Sequence, residues 1–118
     1  MLLNISNHPS AAWSINQKQT AETLYGSVQD LPFPNIPANF STEEVATLVA
    51  EYKEKVLVLA PQAVHLMGEM TFTCALVQAL QKEGIVYIAS TSERTVVDEG
   101  DGKKTVIFNF VQFRKYCD

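Results

Sequence analysis

Three short stretches of the chain gather side chains that could handle an anionic, nucleotide-like ligand. They are Ser6-Asn7-His8-Pro9-Ser10, Gly68-Glu69-Met70-Thr71-Phe72-Thr73 and Ser90-Thr91-Ser92-Glu93-Arg94. Each is rich in small hydroxyl or amide groups, and two run into or near a helix start. Free backbone N–H groups and the positive end of a helix receive phosphate oxygens. Arg94 adds a planar, permanently charged donor suited to a pair of phosphate oxygens. His8 carries an imidazole, the side chain that exchanges protons near neutral pH. It reads either as a general acid/base or phosphate donor, or as a loop histidine capping a nearby carbonyl. Polar loops also occur in α/β folds of every function, so the bland reading stands beside the chemical one.

Other residues are read in pairs of alternatives. His65, between Val64 and Leu66, reads as a sheet-face or core histidine with its hydrogen bonds satisfied rather than as a ligand-binding group. Glu69 either accepts from a ribose hydroxyl or adenine amine, or favours the following helix start electrostatically. Trp13 either stacks on a base or packs the first helix against the sheet. The sequence lacks G-x-G-x-x-G after its first strand and has no G-x-x-x-x-G-K-[ST], which argues against a dinucleotide cofactor and a P-loop. It also lacks the G-x-S-x-G elbow of a serine hydrolase. No helix carries a His, Asp or Glu pair at i, i+4, so neither a metal nor another cofactor is expected. Cys74 and Cys117 lie 43 positions apart and read as reduced thiols.

These stretches need elements to position them. Leu2 to Ser6 reads as a buried strand, broken by Pro9. Ser14 opens a helix that Gly26 stops, and Ser27 to Leu31 reads as a weak second strand before the Pro32–Pro37 loop. Ser41-Thr42-Glu43-Glu44 is a capping box, followed by apolar residues at helical spacing from Val45 to Leu59, and Pro61 ends the run. Ala63 to Met67 reads as a third strand, Phe72 to Leu80 marks a third helix ended by Gly84, and Ile85 to Ala89 a fourth strand. Ser90 to Glu93 reads as the loop at its end. Arg94 to Asp98 and Thr105 to Phe113 flank a Gly-containing turn, the pattern of a β-hairpin. Its apolar residues Val106, Phe108 and Phe110, with Ile107 and Val111 on the opposite face, predict a hairpin covered on both sides, by a dimer interface or by core packing. The alternation predicts a small Rossmann-like α/β fold: a mainly parallel sheet, helices on both faces and an antiparallel C-terminal hairpin. Such sheets bind ligands at the carboxyl ends of their strands, where the three stretches fall.

Composition bounds the rest. The chain has 118 residues, 47% of them hydrophobic and 19% charged, enough for one domain with one core. A net charge of −4 argues against a protein that coats duplex nucleic acid. Five of the nine basic residues lie in the last 25 positions, but Asp98, Glu99, Asp101 and Asp118 share that segment. No apolar run approaches the roughly 20 residues of a membrane helix. Met1-Leu2-Leu3-Asn4-Ile5 turns polar at once, unlike a signal peptide, so a cytoplasmic protein is expected.

At Ser6-Asn7-His8-Pro9-Ser10-Ala11-Ala12-Trp13 the chain resembles small stand-alone CRISPR accessory proteins, whose first strand ends in a similar Ser-x-His-Pro motif followed by Trp. Ser10 stands where related motifs often carry Gly. The Gly68–Thr73 and Ser90–Arg94 stretches resemble the same group, a reduced form of the CRISPR-associated Rossmann-fold sensor domain. The resemblance implies a homodimer with cyclic oligoadenylate across its two-fold axis, and in several members a metal-independent ring nuclease. It assigns His8 and Arg94 to catalysis. To ligand binding it assigns Ser6, Asn7, Ser10, Gly68, Glu69, Met70, Thr71, Thr73, Ser90, Thr91 and Ser92. The alternatives are a sensor or sponge that leaves the ring intact, and a protein-interaction module.

Overall fold

The computed structural model describes residues 1–117. Its first strand, β1 (Leu2–Ser6), is buried along all five residues, as a parallel strand covered on both faces must be. The other elements follow as α1 (Ile15–Tyr25), β2 (Val28–Asp30), α2 (Thr42–Leu59), β3 (Ala63–Met67), α3 (Met70–Lys82), β4 (Val86–Asp98) and β5 (Lys104–Lys115). A single 3-10 turn, Ser10–Ala12, lies between β1 and α1. The sheet order is β2-β1-β3-β4-β5, parallel from β2 to β4 and antiparallel between β4 and β5. The protein is therefore an α/β fold with a mostly parallel mixed sheet and a C-terminal hairpin.

The chain moves outward from β1 to β2, then returns past β1 to form β3. Right-handed crossovers consequently place α1 on one face and α2 and α3 on the other. Leu3, Ile5, Val64, Leu66 and Tyr87 pack with Val49, Tyr52, Val56, Phe72, Leu76 and Leu80 of α2 and α3 in one core. Leu2, Ala63 and Ile88 face the other way, against Trp13 and Ala21. The local punctuation acts as expected. The Ser14 side chain accepts from Gln17 N–H, and Ser41 and Glu44 complete a reciprocal capping box. Ala60 ends α2 at φ 47°, a left-handed conformation taken where Pro61 disfavours a further helical residue.

Two expectations need correcting. The second strand is three residues, Val28–Asp30. More consequentially, Ser90–Glu93 is not a loop: β4 runs unbroken through it for 13 residues. Small polar residues imitate a loop in composition, but here their backbone groups are paired in the ladder with β5. Only Val86–Ile88 of β4 pairs with β3. Beyond Ile88, β4 and β5 form a two-stranded ribbon that projects from the sheet. The radius of gyration is 16.1 Å, against about 13 Å for a compact chain of this length.

The ribbon carries one irregularity. Ser92 pairs with Phe110 but Thr91 with Gln112, so Val111 is an extra residue in β5. Residues three apart on an unbroken strand point to opposite faces. The bulge brings Phe110 and Phe113 onto the same face, with ring centroids 5.0 Å apart.

Candidate functional site

The carboxyl ends of β1 and β3 meet where the winding direction reverses, the place where open α/β sheets take their ligands. A buried polar network holds this point. Asn4, 2% exposed, donates through Nδ2 to the His8 carbonyl (2.9 Å) and to Asp30 Oδ1 (2.8 Å). Both partners can only accept, so the amide orientation is fixed and Asn4 Oδ1 faces inward. That oxygen accepts from the Ser6 hydroxyl (2.8 Å) and lies 2.8 Å from His65 Nδ1. The His8 carbonyl also receives Trp13 Nε1 at 3.0 Å. Asp30 gathers the backbone N–H of Ser10 (3.0 Å) and its hydroxyl (2.9 Å). Burial opposes ionisation of Asp30, but its bonds from Asn4 and from Ser10 outweigh it, and its carboxyl lies below the ordinary value.

His65 is the unexpected member. Because Asn4 Oδ1 can only accept, the imidazole must carry its proton on Nδ1. Nε2 is then a bare acceptor, and it has no partner among the described residues. The residue is 2% exposed, and the rings of Trp13 and Phe113 lie roughly perpendicular to it with centroids at 5.2 and 5.7 Å. Burial, reinforced by the nearby His8, pulls the His65 pKa down to about 4, so the ring is neutral at physiological pH.

Around this network lies a cleft of about 810 Å³, within the span of small-molecule sites. Ser6, Asn7 and His8 form its β1 side, and Met67, Gly68, Ser90 and Ser92 come from the ends of β3 and from β4. Trp13, His65, Phe108 and Phe110 supply its rings, while Ala12, Ser14 and Gln17 close the α1 side. Among the described residues the lining holds two imidazoles and no Lys, Arg, Asp or Glu. Its chemistry is that of a planar group with hydrogen-bonding edges rather than of a bare anion.

Several sequence-predicted site residues are spent elsewhere. Ser10 does not line the cleft; its hydroxyl and N–H clamp Asp30, a bond that the glycine of related motifs could not make with a side chain. Glu69 caps α3, accepting from Thr71 N–H (3.0 Å), Thr71 hydroxyl and Phe72 N–H (2.8 Å). These bonds, that from Phe72 first, lower its pKa. The helix end thus already holds a carboxylate, the second of the two readings the sequence allows for Glu69, and is not open to phosphate. Met70, 82% exposed, and the buried Thr73 line an adjoining depression with Cys74, Val77 and Tyr116, which shares Met67 and Gly68 with the cleft. The Thr91 hydroxyl bonds to Gln112 in the bulge. Arg94 is exposed on the ribbon, opposite Phe108. Directly opposed residues share a face, so it stands on the cleft side but about 7 Å along the strand from Ser92. It is not among the lining residues.

Gly68 has a steric role as well. A Cβ there would collide with the Phe33 ring, which packs in turn on Phe72 at 5.2 Å. Ser90 donates through both N–H and hydroxyl to Met67 Sδ (3.4 and 3.2 Å), fixing the cleft floor.

A family model described as the uncharacterized protein MJ1673 family matches residues 1–114. The chain belongs to the MJ1673 family. No curated protein and no solved structure matches it. The matched span of this MJ1673-family chain takes in the cleft and nearly all of the ribbon. Among its described residues no three His, Cys, Asp or Glu gather in a metal-holding group, and no helix is long and apolar enough to cross a membrane.

Reading the sequence missed Asn4, Asp30 and the acceptor face of His65, along with Phe108 and Phe110 as cleft walls. One signal was available. Asn4 and His65 are polar residues inside otherwise apolar strands, and a parallel sheet aligns such residues when their registers match, as Asn4 and His65 do.

Proposed function

We propose that this chain is a cytoplasmic accessory protein of type III CRISPR systems that binds cyclic oligoadenylate and cleaves it as a ring nuclease. The observation carrying this reading is the cleft at the β1/β3 reversal, where the Ser6–Trp13 motif supplies His8 and Trp13 and the ends of β3 and β4 supply the opposite wall. An adenine edge suits the ring-lined, uncharged interior, and its phosphates would lie outward, toward the ribbon face that carries Arg94. In the reaction a ribose 2′-oxygen bonds to the adjacent phosphorus and the bond to the 5′-oxygen breaks. The 2′-hydroxyl proton goes to a base, and the leaving 5′-oxygen takes up a proton, giving a 2′,3′-cyclic phosphate end. His8, exposed at the cleft mouth, handles one of those protons. Arg94 offsets charge on the phosphorane once the ligand bridges the distance, or once a second copy closes the site. The homodimer belongs to this reading: the ribbon leaves Val96, Val106 and Phe108 on one face, and Val97 and Ile107 on the other, between 37 and 67% exposed.

A second reading, a sensor that holds the ring intact, is favoured by the absence of any cationic residue from the cleft lining. Incubation of metal-free protein with cyclic tri-, tetra- and hexa-adenylate, read by chromatography and mass spectrometry beside a binding assay, separates the two. Linear products ending in a cyclic phosphate, lost in His8→Ala, support the nuclease. Binding with intact ring supports the sensor. Neither binding nor cleavage of any ring overturns the nucleotide reading.

A further inference from the structure

One residue that lines the cleft carries a polar atom whose role is fixed by the fold. The hydroxyl and amide groups around it are adaptable: Ser92, Asn7 and Gln17 can turn to donate or accept. His65 Nε2 cannot. Its ring is held by the Asn4 bond at Nδ1 and by the T-shaped contacts with Trp13 and Phe113, and the proton sits on the Asn4 side. What remains is a lone pair on a side chain more than nine-tenths buried, in a residue that lines the cleft, with no donor opposite it. A buried acceptor without a donor is costly, and the cost vanishes when a ligand supplies an N–H or O–H.

We infer that His65 is a specificity-determining residue whose Nε2 reads a hydrogen-bond donor on the ligand, selecting bases that carry an exocyclic amine over those that carry a carbonyl there. Asn4 is its positioning residue, acting through the tautomer it imposes. An adenine or cytosine amine points N–H at the lone pair, whereas an inosine or uracil carbonyl sets lone pair against lone pair. Turning Nε2 into a donor would require a second proton on a buried ring that has no carboxylate bonded to it. Burial and the neighbouring His8 oppose that protonation. The inference rests on the nucleotide reading of the cleft and deepens it by naming the residue that sets its base preference.

The test uses the intact wild-type chain and four 5′-monophosphates, those of adenosine, cytidine, inosine and uridine, with cyclic tetra-adenylate alongside. Affinities are measured by calorimetry, and the His65 nitrogens are followed by long-range ¹H–¹⁵N spectra. The amine-bearing nucleotides are expected to bind roughly 10- to 100-fold tighter than their carbonyl partners, the range for an unmet buried hydrogen bond. The Nε2 resonance is expected to shift only with the amine-bearing set, while Nδ1 keeps its proton. His65→Phe is expected to level the preference. The spectra require no variant, so a poorly folded substitution does not remove the test. Binding of both sets with equal affinity and no Nε2 shift overturns the base preference and leaves the nucleotide site standing. Failure of every probe to bind, the cyclic one included, overturns both.

Discussion

The cleft and the ribbon solve opposite problems. At the ends of β1 and β3, side chains do the joining: Asn4 alone ties together His8, Asp30, Ser6 and His65. Beyond Ile88 the backbone does it, since β4 and β5 are laddered throughout except at the Val111 bulge while Val96, Ile107 and Phe108 face solvent. A two-stranded ribbon with apolar faces is marginal by itself. The contrast teaches that the network behind the cleft is complete within one chain, and that the ribbon is complete only in its hydrogen bonds. Substitutions in the first region should therefore register as lost stability, and those in the second as altered assembly.

The sharpest way to break this contrast is Asn4→Ala. It strands the His65 Nδ1 proton and removes a bond from Asp30, and we expect a loss of about 3 kcal/mol or more by urea denaturation. A loss below about 1 kcal/mol would show that the network is ornamental. Slightly smaller is the pH effect of His65. Its folded pKa of about 4 lies below the unfolded value, so the unfolded chain binds the extra proton first as the pH falls. Stability is then fully present above about pH 6.5 and declines toward pH 4, by about 3 kcal/mol across that window. His65→Phe should flatten this part of the stability profile; an unchanged slope would place the acid sensitivity elsewhere.

Gly68→Ala tests the seam beside the cleft. The added methyl meets Phe33, and we expect a cost of about 1–3 kcal/mol. Adding Phe33→Ala to the same chain should cost less than the sum of the two single changes. The smallest effect on stability belongs to the ribbon. Phe108→Ser, at a position 67% exposed, should change monomer stability by no more than about 0.5 kcal/mol. Sedimentation should nevertheless show it shifting dimer toward monomer. A large stability loss with no change in mass would make the ribbon an internal support instead.

The fold was legible where its signals are local. Capping serines at 14 and 41, the helical spacing of Val45 to Leu59, and glycines at 26 and 84 each act within a turn or two of the chain. The strand-end position of the cleft followed from alternation and the reversal rule together. The long β4 was hidden because Ser90-Thr91-Ser92 has loop composition, and only pairing with Phe110 and Gln112, about twenty residues later, makes it strand. The polar network was hidden for the same reason. Asn4 meets Asp30 across 26 positions and His65 across 61, separations with no local imprint. His65 itself was half legible: its burial and its Nδ1 bond fit a satisfied core histidine, and Nε2 does not.

Because Asn4 serves Asp30 and His65 together in only one amide orientation, the three positions should be inherited as a unit. A relative that replaces Asp30 with a donor such as Lys keeps only the His8 carbonyl to anchor the amide, so the preference for this orientation weakens. The reversed amide presents N–H to the imidazole, which must then carry its proton on Nε2. In such a lineage a change at one surface carboxylate would loosen the base preference inferred above, with every residue of the cleft wall unchanged.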